Sequence, residues 1–80
     1  MPHDDTKITI SMALIYQHGP QPGSRWRHRN GTVYEVVTTS IHSETLEPMV
    51  SYREVAGNQP KITWTRPLEM WIDGRFTKVT

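Results

Sequence analysis

The chain has 80 residues and no cysteine, and nine Lys and Arg against eight Asp and Glu give a formal charge of +1. A chain this short buries only about 60% of the surface it exposes when unfolded, so it holds one domain with a small core. Missing cysteine excludes a disulfide framework and thiolate zinc, the near-neutral charge gives no argument for nucleic acid or anionic lipid, and no apolar run reaches the roughly 18 residues of a membrane span.

From the N-terminus, Ile8, Ile10, Met12, Leu14 and Tyr16 alternate with Thr9, Ser11, Ala13 and Ile15. That period of two predicts an extended arm, a strand with one apolar face, although Met, Ala and Leu favour helix. Asp4 and Asp5 spoil the basic start of a signal peptide, which leads us to expect a soluble cytoplasmic protein. Gly19-Pro20-Gln21-Pro22-Gly23 then breaks the chain into an N-terminal arm and linker over 1–22 and a compact domain over 23–80.

Arg25 to Arg29, Asn30-Gly31 and Thr32 to Val37 predict a hairpin with a type I′ turn, the second strand running on to Ile41 and bending. Ser43 to Pro48 is a polar connection, Met49 to Val55 the third strand, and Gly57 to Pro60 a turn. Lys61 to Thr65 forms the fourth strand, with Ile62 and Trp64 inward. Pro67 suits the first position of a short 3-10 turn over Pro67 to Met70. Asp73-Gly74 reverses the chain into a last strand, Arg75 to Val79. Five short antiparallel strands with one 3-10 turn before the last predict an all-β, SH3-like small barrel, whose arm caps an open edge or pairs with a second copy in a weak homodimer.

Four islands carry the chemistry. In His42-Ser43-Glu44-Thr45 the functional reading makes His42 a base or ligand, with Ser43 or Thr45 hydrogen-bonding a small polar group, and a further alternative makes His42 and Glu44 the site of a small-nucleotide binder or hydrolase. Neighbouring strand residues point to opposite faces, so His42 and Ser43 make no nucleophile and base pair, and the side chains are better suited to satisfying loop backbone groups. We therefore expect no catalytic residue. His3, His18, His28 and His42 lack ligand spacing, and neither a metal nor another cofactor is expected.

Arg25, Arg27 and Arg29 share one strand face and, with Arg53 and Arg66, could line a basic strip for nucleic acid. The competing reading pairs them with Glu35, Glu54 and Glu69. Arg66 is expected to pack its stem and anchor Glu44 or Glu69. Most rings belong to the core, Trp71 being the one expected to contact a ligand. The preferred site is a peptide groove bounded by His42, Ser43, Glu44, Thr45, Tyr52, Arg66 and Trp71.

The run His42-Ser43-Glu44-Thr45-Leu46-Glu47-Pro48, then Val50, Tyr52-Arg53, Trp64, Arg66-Pro67-Leu68 and Met70, resembles the bacterial and phage family called domain of unknown function 1653. Arg25, Arg27-His28, Gly31 and Tyr34-Glu35-Val36 fit the same pattern. The resemblance spans about Gly23 to Trp71, while the tryptophan strand lacks the family's usual preceding glycine and the stretch after Trp71 is shorter. It implies a small intracellular domain and brings no established activity.

Overall fold

A computed structural model of the protein describes residues 5–57 and 61–80. The chain runs through one helix, α1 (Asp5–His18), and the strands β1 (Arg25–His28), β2 (Val33–Ile41), β3 (Pro48–Glu54), β4 (Trp64–Pro67) and β5 (Phe76–Lys78), with a 3-10 turn at Leu68–Met70. All strand pairs are antiparallel, in the order β4-β3-β2-β1-β5. The five strands and the turn before the last one match the sequence expectation. The barrel is not closed: β4 and β5 lie at opposite edges of one open sheet, and the helical turn with its flanks covers the core face instead.

The N-terminal segment overturns the strand expectation. Its period of two was a coincidence of composition, and at helical spacing Ile8, Ser11 and Ile15 fall on one face. Ser11, polar and outward in a strand, is the buried residue of the helix, while Ile10, Met12, Leu14 and Tyr16 remain exposed. Asp5 lies in the first turn, where the helix dipole favours a carboxylate. At the far end the Gly19 amide donates to the Ile15 carbonyl at 2.7 Å, and any Cβ at position 19 would meet that oxygen. Pro20 follows, buried, and cannot extend the helix. Far from hanging free, α1 packs against β2 and β3, with Ile15 reaching the core.

The hairpin stands where Asn30-Gly31 placed it, with another turn chemistry. The Gly31 amide donates to the His28 carbonyl, the His28 amide to the Thr32 carbonyl, and only Gly31 takes a positive φ, of 98°. That is a type I turn closed by a left-handed glycine, one residue longer than type I′. Asn30 takes no positive φ, and its Oδ1 accepts from the Thr32 amide.

Register decides which face is core. Val36 pairs with Tyr52, a bulge at Val37 shifts the ladder, and Thr39 pairs with Val50. Without the bulge Thr38 would face inward; with it Thr39 and Ile41 do, which lets one long strand serve the core and the helix together. Trp26, His28, Tyr34, Val36, Val50, Tyr52, Arg66 and Phe76 thus share the covered face, and Arg25, Arg27, Glu35, Ser51, Arg53, Thr65 and Thr77 the other. Val36, Val50, Tyr52, Leu68, Trp71 and Phe76 form the buried core.

The fourth strand starts later than expected, at Trp64, and both Ile62 and Trp64 are exposed, Trp64 at 47%. Trp64 does lie on the core face by register, but beyond the edge of the rings that fill it. Of the turn expected over 57–60, residues 58–60 fall outside the described part, as does His3. No helix among the described residues is long and apolar enough to cross a membrane.

Candidate functional site

The loop after β2 is built around two atoms. The Nδ1 of His42 accepts from the amides of Glu44 and Thr45, at 3.1 and 3.2 Å, and the His42 carbonyl accepts from Leu46. Thr45 Oγ1 accepts from the Glu47 amide. The histidine, rather than the serine or glutamate, satisfies this backbone, and a base role would require it to surrender both bonds. Ser43, Glu44 and Thr45 are exposed. Leu46 closes the loop in the left-handed conformation, φ 61°, with its side chain buried. Its carbonyl accepts from Ser11 Oγ at 2.6 Å, so helix and loop are one unit.

Where that unit meets the 3-10 turn there is a groove. Leu14 of α1, Pro48, Pro67, Leu68 and Ile72 form its apolar walls, with Glu47 and Glu69 beside them. The loop and the turn meet across this groove through Glu47 on one side and Pro67 to Glu69 on the other. His42, Ser43, Glu44, Thr45, Tyr52, Arg66 and Trp71 do not line this groove. Leu14 and Ile72 escaped the sequence reading because the first was assigned to a strand and the second to no element. A helical wheel through Ile8, Ser11 and Ile15 places Leu14 on the flank.

Trp71, expected as an exposed contact, is 1% exposed and is the centre of the core. It stacks on Phe76 at 3.8 Å, and Trp26 and Tyr52 meet it at 5.8 and 5.2 Å. The 3-10 turn rotates residue 71 under the open sheet, a place that a closed barrel would fill with strand residues. Its Nε1–H has no hydrogen-bond partner among the described residues.

Arg66 finds rings instead of the expected Glu44 or Glu69. Its Nε donates to the Tyr52 hydroxyl at 2.8 Å, and its guanidinium lies 5.3 Å from the Tyr52 centroid and 5.1 Å from that of Phe76. Tyr34, Tyr52, Glu54, Trp64 and Arg66 line a second, shallow pocket at this end of the core. Tyr34 there titrates above its ordinary range, because burial disfavours the phenolate and the Glu54 carboxylate repels it.

On the opposite face Glu35 lies between Arg53 at 3.0 Å and Arg25 at 3.7 Å. The hydrogen bond from Arg53 holds its carboxyl below the usual carboxylate range, and both guanidinium charges add to this against a desolvation that raises it. Arg27 is exposed on this face, Arg29 stands at the hairpin turn, and Arg66 is on the other side of the sheet. The basic strip is therefore shorter than the sequence suggested and half neutralised. Among the described residues no three His, Asp or Glu side chains gather as a metal site would require.

No curated protein and no solved structure matches this chain. Residues 24–78 match the family described as Protein of unknown function (DUF1653), which takes in the whole sheet and leaves α1 outside. The loop of His42 to Glu47, the core strands and the tryptophan turn all lie within that match, and the chain belongs to this family.

Proposed function

We propose that the protein is a non-catalytic binding module that recognises a segment of another protein. One observation carries the reading: the groove between α1, the end of the 42–47 loop and the 3-10 turn, apolar along Leu14, Pro48, Pro67, Leu68 and Ile72 and flanked by Glu47 and Glu69. Apolar walls favour an apolar anchor, and the two carboxylates favour Lys or Arg beside it. The occupant is a short segment with an apolar side chain between basic residues. The strand order supports reading the sheet as an SH3-like meander left open, and the lack of cysteine favours a reducing compartment such as the cytoplasm.

Nucleic-acid binding through Arg25, Arg27, Arg29 and Arg53 is less favoured, since Glu35 engages two of those guanidinium groups. The two readings separate in one amide-shift titration. A leucine-centred peptide flanked by lysines shifts Leu14, Leu68 and Ile72, and the same peptide flanked by glutamates binds at least about tenfold more weakly. The reading fails if the groove amides stay still while single-stranded DNA moves Arg25 and Arg27, or if Glu47→Lys with Glu69→Lys leaves the lysine peptide's affinity unchanged. Light scattering on the same samples reports self-association, which would assign the groove to a second copy.

A further inference from the structure

The pocket of Tyr34, Tyr52, Glu54, Trp64 and Arg66 is separate from the groove and has a charge pattern of its own. Arg66 is held before any ligand arrives: Nε is tied to the Tyr52 hydroxyl and the guanidinium plane is backed by two rings. Its terminal N–H groups have no acceptor among the described residues, which leaves a fixed fork of the shape that takes a carboxylate. Glu54 is the other charged group of the pocket, and among the described residues neither it nor Arg66 makes an ion pair. The Glu54 carboxylate lies beside Gly57, where a Cβ would come within 2.6 Å of its Oε2 and push that flexible side chain aside. Trp64, half exposed, is the flat apolar wall at the mouth.

From this we infer that the pocket binds a small amino-carboxylate zwitterion with an apolar side chain, the class of the free apolar α-amino acids. The carboxylate pairs with the Arg66 fork, the ammonium with Glu54, and the side chain lies on Trp64. A simple anion such as phosphate meets the Glu54 charge, and a simple cation meets Arg66. Only a ligand carrying both charges at short separation satisfies both walls.

L-Phenylalanine at neutral pH is the probe, followed through the Trp64 indole N–H and the Arg66 Nε–H resonances. A ligand of this size in a shallow pocket is expected to bind with a Kd on the order of 1 mM. 2-Phenylethylamine lacks the carboxylate and 3-phenylpropionate lacks the ammonium, and each should bind at least about tenfold more weakly, since one wall is left with an unanswered charge. Glu54→Gln should weaken L-phenylalanine about tenfold and leave 3-phenylpropionate as tight or tighter. Trp64→Ala removes the apolar wall at an exposed position and should weaken all three. The inference is overturned if L-phenylalanine gives no saturable shift, if inorganic phosphate moves Arg66 as strongly, or if Glu54→Gln does not distinguish the two carboxylates. The peptide groove reads out on Leu14 and Ile72, so either result is independent of the protein-recognition reading.

Discussion

Ser11 Oγ donates to the Leu46 carbonyl at 2.6 Å across 35 positions of sequence, and this buried bond joins the helix to the loop of the sheet. Ser11 is 4% exposed and sits at the centre of the helix's docked face. Ser11→Ala leaves the carbonyl without that partner, and a loss of about 1–3 kcal/mol is expected. Hydrogen exchange locates it: the amides of α1 and of Leu46 should lose protection while the β2–β3 ladder keeps its own. Uniform loss across the sheet would mean that the helix is part of the global folding unit.

Leu46 shows which of two opposing terms wins. A left-handed leucine costs about 1–2 kcal/mol of backbone strain, and burying its side chain returns about 1.5–3 kcal/mol. Leu46→Gly removes both, together with a further restriction of the unfolded chain. It should lower stability by about 1 kcal/mol in urea unfolding, and Leu46→Ala, which keeps the strain and loses the packing, should lower it by about 2 kcal/mol or more.

His42 is the loop's internal acceptor. His42→Ala strands the Glu44 and Thr45 amides, which water then takes up at an exposed site, so the expected loss is about 1 kcal/mol with faster exchange of those two amides. His42→Asn offers a carbonyl oxygen in place of the ring nitrogen and should recover part of the protection.

How far the sequence could be read depended on what each residue answers to. Asn30-Gly31 and Asp73-Gly74 announced their turns because the backbone there needs glycine, at φ 98° and 99°. The strands were visible because alternation over β2 and β3 reflects one buried face. Alternation misled over residues 8–16, where nearly every position is apolar or small and the choice between periods falls to capping: Asp5 at one end and Gly19 at the other, with Ser11 buried by a partner that only the fold brings near. Trp71 was misassigned for a related reason. Whether a ring after a 3-10 turn faces solvent or core depends on whether the sheet closes, a long-range property with no local signature. Arg66 was expected to be packed, and its partners were not legible because register alone sets Tyr52 beside it.

Trp71 carries an opposition that mutation can separate. Trp71→Ala should remove about 3–5 kcal/mol, enough to unfold a domain of this size. Trp71→Phe keeps the stack on Phe76 and deletes the indole N–H that lacks an acceptor among the described residues, so its loss should be much smaller than the lost volume alone gives. Thermal unfolding of the phenylalanine variant measures the difference. A loss as large as that of the alanine variant would mean that the N–H is satisfied by a ring face or a water.

Glu35 sets the expected response to acid. Its hydrogen bond from Arg53, reinforced by the charges of Arg53 and Arg25, lowers its pKa in the folded protein below the ordinary 4.5. A carboxyl whose pKa is depressed on folding adds stability above its unfolded value, and that stability is lost as pH falls through the folded one. Urea midpoints followed from neutral pH into the acid range should therefore decline below about pH 4.5. Glu35→Gln should start lower at neutral pH and decline less, the two curves converging in acid, and added salt should narrow the gap because the pairs face solvent. Asp73 contributes with the same sign: desolvation raises its pKa, and the backbone and side-chain hydrogen bonds of Arg75 outweigh it. The two carboxylates separate by substitution. If Glu35→Gln leaves the acid slope unchanged and Asp73→Asn flattens it, the acid sensitivity belongs to the Asp73–Arg75 turn and not to the sheet's arginine pair.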